Sequence, residues 1–150
     1  IYRLIKNYGV RTIKNHGADI GQSESIRLGI ESTSTDTIGY MFVVADQPAM
    51  KEETIDALVD RFMLDKSKIV LPRARDKRGN PVIFPSSLRE ELLGLEGDSG
   101  GKEVIKANED IVEFLEVNEG ELRDIDTKED LRLFIGGEKD ERTSSYKRSR

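Results

Sequence analysis

Hydrophobic positions change their period several times along the chain, and each change predicts an element. Ile1, Leu4, Ile5 and Tyr8 recur at helical spacing before Gly9, so the chain opens inside the end of a helix that Gly9 stops. Val10 to Lys14 reads as a short strand, and Asn15 to Asp19 as a loop of turn-forming residues. Ser23 is placed to cap a helix that carries Ile26 and Ile30 on one face. Tyr40 to Ala45 (YMFVVA) is a continuous apolar run of strand length, the pattern of a strand buried on both faces. After it, Ile55, Leu58, Val59, Phe62 and Met63 follow the i, i+3, i+4, i+7, i+8 pattern of an amphipathic helix.

The second half repeats the alternation. Lys68 to Leu71 reads as a strand, Asp76 to Asn80 as a turn, and Pro81 to Phe84 as a further short run. Ser87 with Glu90 predicts a capping box that opens a helix through Leu95. Gly97 to Gly101 is a glycine-rich turn before a short helix, Lys102 to Ala107, and Val112 to Val117 is strand-like. Thr127 with Asp130 predicts a second capping box and a helix that includes Leu131 and Phe134. Strands separated by helices predict an α/β domain, a mostly parallel sheet covered on both faces.

Composition narrows what this domain meets. A chain of 150 residues is long enough for one core. We read one domain over residues 1–135, followed by a polar tail over 136–150 (GGEKDERTSSYKRSR) that is too poor in apolar side chains to order. With 29 acidic against 24 basic residues, the net charge of −5 provides no field for nucleic acid. No apolar run is long enough for a membrane helix. The absence of cysteine excludes disulfides, thiolate nucleophiles and cysteine-ligated metals within the chain, and fits a cytoplasmic setting. The chain starts at Ile1 without a signal or transit pattern, which predicts that it is an N-terminally truncated piece of a larger domain.

Chemistry is expected where the apolar strand ends, at Asp46-Gln47-Pro48, because ligands of open α/β sheets bind beyond the carboxyl ends of strands. A carboxylate there suits Mg²⁺, which keeps waters and bridges substrate phosphates; the plain alternative is that Asp46 only begins a turn. Asp124 and Asp126 flank Ile125, so in an extended segment both would face one side and could complete a metal site, or one could simply cap a helix. Gln22, Ser23 and Ser25 sit at a helix start, where free backbone N–H groups attract anions, although most such starts bind nothing.

Four segments in order, GQSESIRLGI, FVVADQP, RGNPVIF followed by LEGDSGGKEVI, and DIDTKEDL, together resemble the molybdenum cofactor cytidylyltransferases and the wider MobA-like nucleotidyltransferases. The resemblance covers about Asn15 to Phe134 and implies a Rossmann-like fold of the nucleotide-diphospho-sugar transferase type. It implies a Mg²⁺-dependent enzyme that moves a nucleotide, CMP from CTP or its GTP counterpart, onto molybdopterin or a related phosphate and releases pyrophosphate. By the same matching, Asp46 and Asp126 are the catalytic metal-binding pair, with Asp124 as a further ligand. Gln22, Ser23, Ser25 and Asp46 are implied at the nucleotide, and Gly79, Asn80, Pro81, Asp98 and Lys102 at the acceptor. A molybdoenzyme or its chaperone is the implied protein partner.

Two departures qualify the match. The LAAGxSxRMG-type loop that grips the triphosphate in this family is not in the sequence, and Ser99-Gly100-Gly101-Lys102 stands where the family has a basic residue and Gly-Ala-Arg. Competing expectations are therefore an inactive fragment or binding module, and a related sugar-nucleotide transferase.

Overall fold

Side chains that alternate about β2 sort the molecule into three layers. In the computed structural model, which describes Ile5 and residues 7–136, β2 (Ile69–Ala74) sends Ile69 and Leu71 to one face and Val70 to the other. β4 (Val82–Pro85) follows the same rule, with Val82 and Phe84 on the first face and Ile83 on the second. Three helices cover the first face: α1 (Gln22–Glu31), α3 (Arg89–Leu93) and α4 (Gly101–Ala107), through Ile26, Ile30, Leu92, Val104 and Ile105. The second face is covered by α2 (Glu52–Leu64), whose Leu58 and Phe62 pack on Val70 and Ile83. Val59 and Met63, expected on the same stripe, are left exposed at its margin.

The sheet is mixed. β1 (Gly39–Phe42) and β2 both run antiparallel to β4, so they are parallel to each other, and β5 (Val112–Glu116) pairs parallel with β2 from Ile69↔Val112 to Arg73↔Glu116. β3 (Lys77–Arg78) folds back on Arg73 and Ala74 as a hairpin. The expected α/β layering holds, and β4 is the antiparallel insertion that the one-dimensional pattern did not reveal. The chain reverses after β2 through only Arg75-Asp76, too short for the crossover that a parallel neighbour of β2 needs, and β4 runs on in the direction of β3.

Other expectations shift for identifiable reasons. The strand expected at Tyr40 to Ala45 ends at Phe42, where its partner β4 begins at Val82; Val43 beyond it is 63% exposed. Val10 to Lys14 forms no strand, and its residues are almost all exposed. At the first turn Ile5 is helical and Gly9 takes φ +67°, the left-handed stop expected of it; Ile1 to Leu4 lie outside the described residues. Ser87 and Glu90 form no capping box: Ser86–Leu88 is a 3-10 turn and α3 stops at Leu93. Thr127 and Asp130 do form theirs, with Asp130 N–H donating to Thr127 Oγ1 (3.1 Å) and Thr127 N–H to Asp130 Oδ2 (2.9 Å) at the head of α5 (residues 128–136). The tail expected to be disordered lies, from 137 onward, outside the described residues.

Candidate functional site

The turn after β1 is pinned to the segment between β5 and α5. Asp46 C=O accepts from Ile125 N–H at 2.8 Å, which brings the Asp46 turn and the Asp124-Ile125-Asp126 segment side by side. The Asp46 and Asp126 carboxylates are both exposed. Between them Gln47 is turned inward, only 9% exposed, and its Nε2 donates to Asp124 Oδ1 at 2.7 Å. The other oxygen, Asp124 Oδ2, is 3.5 Å from Lys77 Nζ on β3, and Lys77 Nζ donates to Leu122 C=O at 2.8 Å. Donation from Gln47, with the Lys77 cation assisting against partial desolvation, holds the Asp124 carboxyl below its ordinary value.

Below this turn the chain is fastened again. Glu121, buried, accepts from Thr54 Oγ1 at 2.6 Å and from Lys51 N–H at 3.4 Å, so a carboxylate from a distant segment caps the start of α2. Residues 46–54 are thus held at both ends by residues 121–125.

Beside the turn lies a cavity of about 730 Å³. Its floor is apolar, built from Ile26, Phe42, Leu71, Val82, Phe84 and Ile105, with the Phe42 and Phe84 rings edge to face at 5.8 Å. Val43 and Val44 form the wall nearest Asp46, which follows two residues on, within about 7 Å of chain. The rim is polar: Gln22 and Ser25 from α1, Gly79 and Asn80 before β4, and Lys102 and Lys106 one turn apart on α4. Arg78 and Glu109 close one side as a two-pronged ion pair of 2.8 and 2.9 Å, which raises the Arg78 pKa and lowers that of Glu109.

Of the residues singled out in the sequence, Gln22, Ser25, Gly79, Asn80 and Lys102 come together around this cavity. Ser23, Pro81, Asp98 and the three aspartates Asp46, Asp124 and Asp126 are not part of its lining. Ser23 is buried, and its hydroxyl donates to Gly97 C=O at 2.8 Å while its N–H donates to the same oxygen at 3.1 Å. It fastens α1 to the glycine turn instead of facing a nucleotide, and Gly21, not Ser23, occupies the cap position. Gly21 has φ +125° and its missing Cβ leaves room for the Gly97 backbone, so this contact requires glycine. Pro81 is fully buried, and Asp98 is exposed in the turn away from the cavity lining. Asp124 has both oxygens engaged by Gln47 and Lys77, so it stands apart from the exposed Asp46 and Asp126. Arg78 and Lys106 were not anticipated; Lys106 could have been found from its i, i+4 spacing to Lys102.

Asp46 and Asp126 carry exposed carboxylates on segments joined by the Asp46 C=O to Ile125 N–H bond, hard oxygen donors of the kind divalent cations take. Among the described residues there is no group of three or more His, Cys, Asp or Glu side chains able to hold a metal by themselves. Two exposed carboxylates on adjoining turns match an ion that takes one or two protein oxygens and completes its shell with water and phosphate.

A carboxylate turn at a strand end beside a cation-rimmed cavity is the arrangement of an α/β domain that handles phosphorylated ligands. The profile of the MobA-like NTP transferase domain matches residues 1–112, and the chain belongs to that family. It is 29% identical over 116 residues to the purine catabolism protein PucB of Bacillus subtilis, covering 75% of this chain and 55% of that protein. Rv0371c of Mycobacterium tuberculosis superimposes with a TM-score of 0.66 at 24% identity over 77% of this chain and 60% of that one. Its homologue from Mycobacterium sp. strain JC1 gives 0.65 at 19% identity over 78% and 58%. A second structure of Rv0371c, described as a complex with manganese, gives 0.62 at 25% identity over 73% and 58%. The chain therefore spans 55% to 60% of the length of these relatives. No helix among the described residues is long and apolar enough to cross a membrane.

Proposed function

We propose that the protein carrying this chain is a nucleotidyltransferase that moves a nucleotide from a triphosphate, CTP by the motif resemblance, onto the phosphate of a molybdopterin-type acceptor. The observation that carries this reading is the placement of the Asp46 turn beside a cavity that combines an apolar floor with Lys102 and Lys106 at its rim. A planar ring system with a phosphate tail matches that division: the ring is taken out of water over Phe42 and Phe84, and the lysines meet the anion. Asn80 and Ser25 supply hydrogen bonds that orient it.

In the transfer, an acceptor phosphate oxygen forms a bond to the α-phosphorus, the bond from that phosphorus to the bridging oxygen breaks, and pyrophosphate leaves. Asp46 and Asp126 would hold the divalent cation, Mg²⁺ or the Mn²⁺ described for Rv0371c, and this ion supplies charge compensation for the triphosphate. The chain's own share is positioning: the cavity fixes the acceptor, and the pinned turn keeps Asp46 at its edge. A cytoplasmic setting and a molybdoenzyme or chaperone as recipient accord with this chemistry.

The test is pyrophosphate release by the full-length protein with CTP or GTP, Mg²⁺ and acceptor. Asp46→Ala is expected to lower the rate at least about a hundredfold, the scale of losing a charge-stabilising group. An unchanged rate would overturn the assignment.

A further inference from the structure

We propose that Asp124 is a positioning residue, the middle of a strut from Gln47 through Asp124 to Lys77 that sets the Asp46 turn relative to the cavity rim. The reading of Asp46 itself rests on the function proposed above. The strut rests on geometry: Gln47 Nε2 donates to Asp124 Oδ1 at 2.7 Å, and Lys77 Nζ reaches both Asp124 Oδ2 (3.5 Å) and Leu122 C=O (2.8 Å). Three separate pieces of chain meet there. Gln47 belongs to the carboxylate turn, Asp124 to the segment whose Ile125 N–H holds Asp46 C=O, and Lys77 to β3.

β3 gives the strut its second end. Successive side chains of a strand point to opposite sides, so Lys77 turns to Asp124 while Arg78 turns to Glu109 at the cavity. Gly79 and Asn80 follow directly on the rim, and the close approach of Leu122 to Gly79 leaves no room for a Cβ there. A shift of the Asp46 turn is therefore transmitted to the rim, and the reverse, through one carboxylate whose two oxygens are both committed. A carboxylate so committed contributes in the absence of any metal. A ligand carboxylate does not, because without its cation it only repels its neighbours.

The difference is measurable in the metal-free chain by amide hydrogen exchange at Ile125, whose N–H bonds Asp46 C=O. Asp124→Ala and Gln47→Leu are each expected to speed that exchange roughly five- to tenfold, with no further gain when combined, whereas Asp126→Ala leaves it unchanged. The double variant Asp124→Asn with Lys77→Met keeps the Gln47 half of the strut and removes the β3 half, so it restores slow exchange at Ile125. In a parallel titration with Mn²⁺ and CTP, Asp124→Ala weakens binding and the same double variant, cut from β3, recovers only part of it. Unchanged exchange in Asp124→Ala, or faster exchange with undiminished Mn²⁺ affinity, would overturn the proposal. Failure of the unmodified chain to bind Mn²⁺ with CTP would count against the reading of Asp46, while the exchange rates still judge the strut.

Discussion

The Glu121 carboxylate, 6% exposed, accepts a 2.6 Å hydrogen bond from Thr54 Oγ1 across 67 positions of sequence. Together with the bond that the same carboxylate accepts from Lys51 N–H, this contact caps the start of α2 and ties it to the segment that leads to Asp124 and Asp126. A buried carboxylate that loses a donor keeps its desolvation penalty. Thr54→Ala is expected to lower stability by about 1–3 kcal/mol, read as a lower urea midpoint with an unchanged slope. A midpoint equal to that of the unmodified chain would remove Glu121 from the list of anchors.

Lys102 and Lys106 lie one turn apart on α4, both line the cavity, and both are exposed outside the core. Replacing either by Ala is expected to raise KM for a phosphorylated acceptor about tenfold with little change in kcat, since the contact is made equally in the ground and transition states. Steady-state kinetics against acceptor concentration, at two salt levels, checks this. An effect on kcat alone would place the lysines at the reacting phosphorus instead.

Val43 separates what the sequence pattern suggests from what the sheet does. Its apolar run reads as a strand buried on both faces, yet it lies past the end of β1 and is mostly exposed. Val43→Thr is therefore expected to change stability by no more than about 0.5 kcal/mol, whereas Phe84→Ala, in the core and under the cavity, costs about 3–5 kcal/mol. Chemical denaturation of the two variants gives the comparison. Equal losses would mean that Val43 is covered in the folded protein.

Asp130 provides a pH test. Hydrogen bonds from the Thr127 hydroxyl and N–H lower its carboxyl pKa below the ordinary 3.8. A depressed carboxyl stabilises the folded state fully above its unfolded value and loses that contribution as pH falls through the folded one. Exchange of the Thr127 amide, protected by this box, is thus expected to keep its protection down to the ordinary 3.8 and to lose it only as the pH falls further, through the depressed value. Asp130→Asn would show no such acid step, and an acid step that survives in Asp130→Asn would assign it to another group.

Much of this was legible one element at a time. The α2 stripe, β5, the short helix after the glycine turn and the Thr127 box all follow from local periodicity and capping, because the pattern that marks each lies within a few consecutive residues. Asp46 was singled out on equally local grounds, as the end of an apolar run, although β1 itself stops four residues earlier at Phe42. The antiparallel β4 was not legible, since its direction depends on how the two residues Arg75-Asp76 reverse the chain after β2. Nor were the duties of Ser23 and Asp124, whose partners are 74 and 77 positions away. A polar residue near a helix start or in an acidic motif looks like a ligand-binding group until its partner is located. Ser23 and Asp124 are both tied to other parts of the protein.

Calorimetric titration of the full-length protein with CTP and then GTP, each with and without Mg²⁺, beside the Asp46→Ala form, decides whether the Asp46 turn serves a metal-bound nucleotide. Binding is expected to require Mg²⁺ and to weaken at least about tenfold in Asp46→Ala. Binding that ignores both the metal and the substitution would contradict that role.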